Sequence, residues 1–133
     1  LALKLAQAIA RAVKDFDPRL VLFGLAGSEL IRAGEQAGLK TANEVFADRT
    51  YQADGGLTPR TQPDAMIHDP ETAIAQVRRM LREGRVRSQQ GSDVPVQPDT
   101  LCIHGDAPGA VEFARRIRQA LDADGVRVAS IVR

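Results

Sequence analysis

Apolar positions along the 133-residue chain follow a helical rhythm in some stretches and form short continuous runs in others. Leu5, Ile9, Val13 and Phe16 recur at spacings of four, four and three, with Arg11 and Lys14 off that line. This is one face of an amphipathic helix. Asp17-Pro18 stops it, because a residue before proline disfavours helical dihedrals. Arg19-Leu-Val-Leu-Phe23 is then a continuous apolar run, as in a strand buried on both faces. Gly24 to Gly27 form a turn. Ser28 is a good N-cap for a second helix through about Gln36, with Gly38 placed to end it.

Glu44-Val-Phe-Ala47 reads as a second strand. A long polar loop follows from Asp48 to about His68, holding Asp54-Gly-Gly56, Pro59 and Pro63. Loops of that length in compact domains are functional or disordered. Asp69 caps and Pro70 opens a third helix, with Ile74, Val77 and Leu81 as its apolar stripe and Gly84 at its end. Val86 lies in a brief extended piece, and Gln89 to Asp99 is a turn-rich connector. Thr100-Leu-Cys-Ile103 is the next strand. A fourth helix covers about Pro108 to Ala123, its core face Val111, Ala114, Ile117 and Leu121. Gly125 ends it, and Val126 to Ile131 reads as a last strand.

Strands that alternate with helices imply an α/β fold with parallel strands joined by crossover helices. A β/α barrel and an open doubly wound sheet both fit. The length suits one domain over residues 1–133.

Composition narrows the function. Net charge is +1 and aromatic content 4%, with no Trp, so neither a basic field nor stacking platforms favour nucleic acid. No apolar stretch approaches the roughly 20 residues of a membrane span. The single cysteine, Cys102, excludes an internal disulfide and reads as a buried thiol. Leu1-Ala-Leu-Lys-Leu5 is interrupted by Lys4 and runs into the helix, unlike a secretory signal. The expectation is a cytoplasmic protein whose sequence starts inside a larger fold.

In β/α proteins ligands sit at the carboxyl ends of the strands. Three such ends carry functional or small residues: Gly24-Leu-Ala-Gly-Ser28, Asp48-Arg-Thr-Tyr51 and His104-Gly-Asp106. His104 carries an imidazole, the side-chain type best suited to exchange protons near neutral pH, beside a carboxylate. A general acid/base histidine oriented by Asp106 is one use, metal ligation another, and helix capping by Asp106 the plain alternative. Arg49 can hold a carboxylate by two parallel bonds, and Tyr51 can add a directional hydroxyl. An Asx turn with an ion pair would use Asp48 and Arg49 equally well. Arg60 lies further along the same loop, as part of a lid or a solvated turn. Gly24 to Ser28 lacks the ending of a Walker loop. The arginines at 78, 79, 82, 85 and 87 read as a solvated face, and His68 as part of a loop-to-helix turn.

Gly24-Leu-Ala-Gly-Ser28, Glu44-Val-Phe-Ala-Asp-Arg49 with Tyr51, Gly56-Leu-Thr-Pro-Arg60 and Leu101-Cys-Ile-His-Gly-Asp106 resemble, in order and spacing, the LamB/YcsF family. The resemblance covers about Leu5 to Val128. It implies part of an irregular β/α barrel, related to polysaccharide-deacetylase-like enzymes. It implies ATP-dependent opening of 5-oxo-L-proline to L-glutamate, with B and C partner subunits. Asp48, Arg49, His104 and Asp106 match family motif positions at the barrel mouth. ATP enters as a cofactor on this resemblance alone, and a divalent metal is left open. The family's opening Asp-x-Asn-x-Asp-x-Gly segment has no counterpart here, so the expectation is the C-terminal half of such a barrel.

The resulting expectation is a lactam hydrolase. His104, Asp106 and Asp48 handle the attacking water and its proton, while Arg49, Tyr51 and Arg60 hold the substrate. Two rivals stand beside it: a non-catalytic scaffold or assembly half, and a metal-dependent hydrolase of another amide. Self-association stays open.

Overall fold

The computed structural model describes residues 2–106 and 108–131. The ends of the expected 1–133 domain therefore lie outside the described residues. The elements are α1 (Ala2–Phe16), β1 (Val21–Leu25), α2 (Glu29–Gln36), β2 (Lys40–Phe46), α3 (Pro70–Glu83), β3 (Arg85–Arg87), β4 (Asp93–Pro95), β5 (Thr100–Cys102) and α4 (Ala110–Ala123).

Three strands form a parallel sheet in the order β1-β2-β5. Val21 pairs with Lys40 and Glu44 with Thr100, so β2 is the centre. The α/β architecture with parallel strands and crossover helices is the one the alternating pattern predicts. The sheet shows no closed barrel among the described residues. β2 begins four residues earlier than expected, because Lys40-Thr-Ala-Asn43 looks polar. Its neighbours explain the pairing: Asn43 N–H donates to Asp99 Oδ2 at 2.8 Å, and Asp99 N–H returns to the Asn43 carbonyl at 2.9 Å.

Val86 lies in a short strand, β3, as the sequence suggests, and the connector that follows it differs from expectation. The connector contains β4, which pairs antiparallel with β3 through Val86↔Val94. Both valines are buried, beside Tyr51 and Met80. Residues Val126 to Ile131 are not a strand. Their alternating pattern finds no partner strand among the described residues, and they flank a groove of about 530 Å³ against α3, β5 and α4.

Helix ends follow the capping chemistry. Asp69 accepts from Thr72 N–H at 2.9 Å, Pro70 opens α3, and Gly84 closes it at φ 63°, where a side chain would be strained. Ser28 caps α2. Gly34 faces β1 and β2 so closely that a Cβ would lie 2.7 Å from Thr41 and 2.9 Å from Leu22. Only glycine lets α2 reach the sheet at that height.

The apolar faces are partly relocated. In α3 the buried residues are Ala73, Ile74, Val77 and Met80, while Leu81 is exposed. In α4 Ile117 and Leu121 are buried and Val111 is exposed. In α1 the buried residues are the small Ala6 and Ala10, packed on Leu22, Ala33 and Leu39. Leu5, Ile9 and Phe16 of the expected core face are exposed, Phe16 by 85%. Phe23 is exposed as well, so β1 is covered on one face only.

Candidate functional site

β2 and β5 lie side by side and end together, so the residues that follow them meet. Asp48 comes two residues after β2 and His104 two residues after β5. The His104 backbone N–H donates to Asp48 Oδ2 at 2.9 Å. The His104 Nδ1 lies 2.9 Å from each carboxylate oxygen of Asp48. An ionised carboxylate only accepts, so a neutral His104 carries its proton on Nδ1. Nε2 is then the unprotonated nitrogen, with no partner among the described residues. The Phe46 ring stacks on the imidazole at 5.8 Å, fixing its plane. Asp48 is buried, while the His104 side chain keeps 22% exposure. An oriented imidazole with one unpaired nitrogen, on a side chain that is partly open to solvent, is the equipment of a general base.

Both residues line a cleft of about 330 Å³ at the carboxyl end of the sheet. Its other polar lining comes from His68, Asp106, Glu112 and Arg116. Asp106 is exposed in this cleft, and the ion pair of His104 is with Asp48. The acid that orients the histidine is therefore Asp48, 56 positions away, and not Asp106 two positions on. Asp106 does not cap α4 either, since Gly109 occupies the N-cap. Arg116 pairs with Glu71, and Glu112 with Arg115.

Arg49, Tyr51 and Arg60 differ from expectation. The Arg49 guanidinium is buried and donates to the carbonyls of Thr58 at 2.6 Å and Ala65 at 3.3 Å. Its Nε and Nη2 are committed to the protein's own loop, and Arg49 is not part of the cleft lining. Tyr51 is fully buried, and its hydroxyl accepts the Phe46 N–H at 2.9 Å. Burial pushes its pKa up to about 12, only partly offset by that N–H. Arg60 is exposed and lies outside the cleft lining. The long loop is thus a knitted structure. Arg49 bridges to Met66 and Tyr51 to Leu57, and Asp48 C=O accepts the Ile67 N–H at 2.8 Å.

Burial pushes the Cys102 thiol up, with Glu44 and Asp48 adding repulsion, which is the reverse of an activated nucleophile. Among the described residues no group of three or more His, Cys, Asp or Glu side chains gathers to hold a metal. No helix of the described residues is long and apolar enough to cross a membrane. Sequence reasoning missed Gln76, Arg116 and the place of His68 in the cleft. Gln76 and Arg116 carry no local sequence signal, being polar residues on otherwise ordinary helices.

Comparison with known proteins fits this geometry. The chain is 59% identical over 128 residues to the A subunit of 5-oxoprolinase from Bacillus subtilis (strain 168), covering 96% of this chain and 50% of that protein. It is 62% identical over 124 residues to the corresponding 5-oxoprolinase polypeptide of Bordetella pertussis (strain Tohama I), covering 93% of this chain and 49% of that protein. The crystal structure of the lactam utilization protein from Thermus thermophilus superposes with a TM-score of 0.86 at 43% identity, over 97% of this chain and 51% of that one. The chain spans about half the length of the relatives it matches. The family model for LamB/YcsF matches residues 2–133, and the chain belongs to the LamB/YcsF family.

Proposed function

We propose that this chain contributes the Asp48–His104 pair to an enzyme that opens the lactam ring of 5-oxo-L-proline to L-glutamate. The observation that carries the reading is the pair itself, with His104 Nε2 free at a cleft. The names of the relatives supply the substrate. Water held by Nε2 loses its proton to the imidazole as its oxygen attacks the lactam carbonyl. Asp48 stabilises the imidazolium that forms. The same proton then serves the departing ring nitrogen, which becomes the amino group of glutamate. Asp106, exposed in the cleft, is the second group able to hold water.

ATP belongs to this proposal by family resemblance, with the B and C subunits as partners. The cleft does not suit a triphosphate. Its permanent cation, Arg116, is paired with Glu71, and Asp48, Asp106 and Glu112 line the same walls. No step above uses ATP, which we assign to other parts of the assembly. We likewise derive no metal step, because Asp48 is committed to His104.

The test is turnover by a family-length chain carrying these residues, with ATP and the partner subunits. His104→Ala should lower kcat on the order of 10²- to 10⁴-fold, the usual contribution of a positioned acid/base. Undiminished turnover would overturn the reading. It would instead favour a second one, an assembly half, which the exposed Leu5, Ile9 and Phe16 of α1 support.

A further inference from the structure

We infer that Gln76 is the positioning residue of the Asp48–His104 pair. The inference rests on the reading of that pair as catalytic.

At the end of β2, from Phe46 onward, the backbone leaves the sheet and its carbonyls need partners outside the ladder. Buried carbonyls need replacements. Gln76, on α3, supplies them from a single atom. Its Nε2 lies 3.1 Å from the Phe46 carbonyl, 3.4 Å from that of Ala47 and 2.9 Å from that of Arg49. These carbonyls bracket Asp48 on both sides. The donor is itself held in place, because Ala73, Val77 and Met80 of the same helix are buried.

The peptide before Asp48 is gripped at a second point. Tyr51 takes the Phe46 N–H while Gln76 takes the Phe46 carbonyl. Phe46 is also the residue whose ring stacks on His104. One side chain therefore bears on both members of the pair: on Asp48 through the flanking carbonyls, and on the imidazole through Phe46. The carboxylate must meet the His104 N–H and ring nitrogen together, so a small rotation of the 46–49 backbone breaks both contacts. Aspartate at 48 and histidine at 104 supply the chemistry, and the α3 amide sets their angle.

The distinguishing variant is Gln76→Glu, which keeps the shape but turns a donor into an acceptor facing three carbonyls. Gln76→Met removes the donors with similar bulk. Both are made in a family-length chain with its partner subunits, and Val77→Ala on the same helix is the structural control. We expect kcat to fall on the order of 10²-fold for Gln76→Glu, as for an ångström-scale misplacement, with KM changed less than about threefold. We also expect the ring nitrogen signals of His104, read by ¹⁵N NMR at alkaline pH, to lose the Nδ1–H tautomer. Val77→Ala should lower stability and leave the tautomer intact.

A native tautomer in both Gln76 variants overturns the inference. So does a tautomer lost equally in Val77→Ala, or a failure of both Gln76 variants to fold, since each makes the role merely structural. Failure of the parent reading looks different. The unsubstituted enzyme would then not open 5-oxoproline, while the tautomer would still report on Gln76.

Discussion

The segment from Ala47 to His68 and helix α1 treat their side chains in opposite ways. The segment has no regular element, yet it buries Asp48, Arg49, Tyr51 and Thr58, each with a hydrogen-bond partner. Helix α1 is regular throughout, yet it leaves Leu5, Ile9 and Phe16 in solvent and buries only alanines. Regular backbone and tight packing are separate properties. The loop is ordered because its buried polar groups are costly to leave unpaired, so each holds its neighbour in one geometry. The helix is ordered by its own ladder, and most of its apolar stripe adds nothing until something covers it.

Four substitutions or conditions test that contrast. Arg49→Ala should be the most damaging, because it empties a buried site, leaves the Thr58 carbonyl without its donor and takes from the Ala65 carbonyl one of its two. A loss of about 3 kcal/mol in denaturant unfolding is expected. A loss under about 1 kcal/mol would mean that the loop is held by something else.

Alkaline pH comes next. Tyr51 ionises at about 12 in the fold, against 10 when free. Between these values the unfolded chain loses the proton and the folded one keeps it, so stability falls as pH rises. The full difference is about 2–3 kcal/mol. Tyr51→Phe should flatten that slope, measured as the unfolding midpoint against pH.

Thr58→Val is a smaller change. The hydroxyl accepts from Gln52 Nε2 and lies 2.7 Å from the Thr50 hydroxyl. A cost of about 1–2 kcal/mol is expected in the same unfolding assay. The smallest effect belongs to α1. Phe16→Gln should change stability by less than about 0.5 kcal/mol, as for an exposed position. A larger loss, dependent on protein concentration, would show that the stripe is covered in solution.

Where local chemistry decides the structure, the sequence is readable. Asp69-Pro70 and Gly84 bound α3 as capping predicts, and the strand–helix alternation yields the parallel sheet. Asp48 and His104 were both candidates because they follow strands. Their pairing with each other was not readable, since Asp106 is nearer to His104 in sequence. Only the β2–β5 register brings Asp48 to it. Arg49 looked like a ligand-binding group because burial among backbone carbonyls leaves no mark on the sequence. β4 was hidden because it has three residues, follows Gly91 and ends on Pro95. The helical faces of α1 and α4 misled for another reason. Periodicity says which residues share a face, and not whether anything packs on it.

The 56 positions between Asp48 and His104 have a consequence for how the chain acquires its site. Contacts so remote in sequence carry a loop-closure cost and lie at the slow end of folding. Between them come the knitted loop, α3 and the β3–β4 hairpin, and β5 must find β2 before His104 can meet the carboxylate. The pair is thus a reporter of long-range order. A chain that has reached only local order, however helical, holds an unoriented histidine. The imidazole docks on Asp48 only where the β2–β5 register is in place.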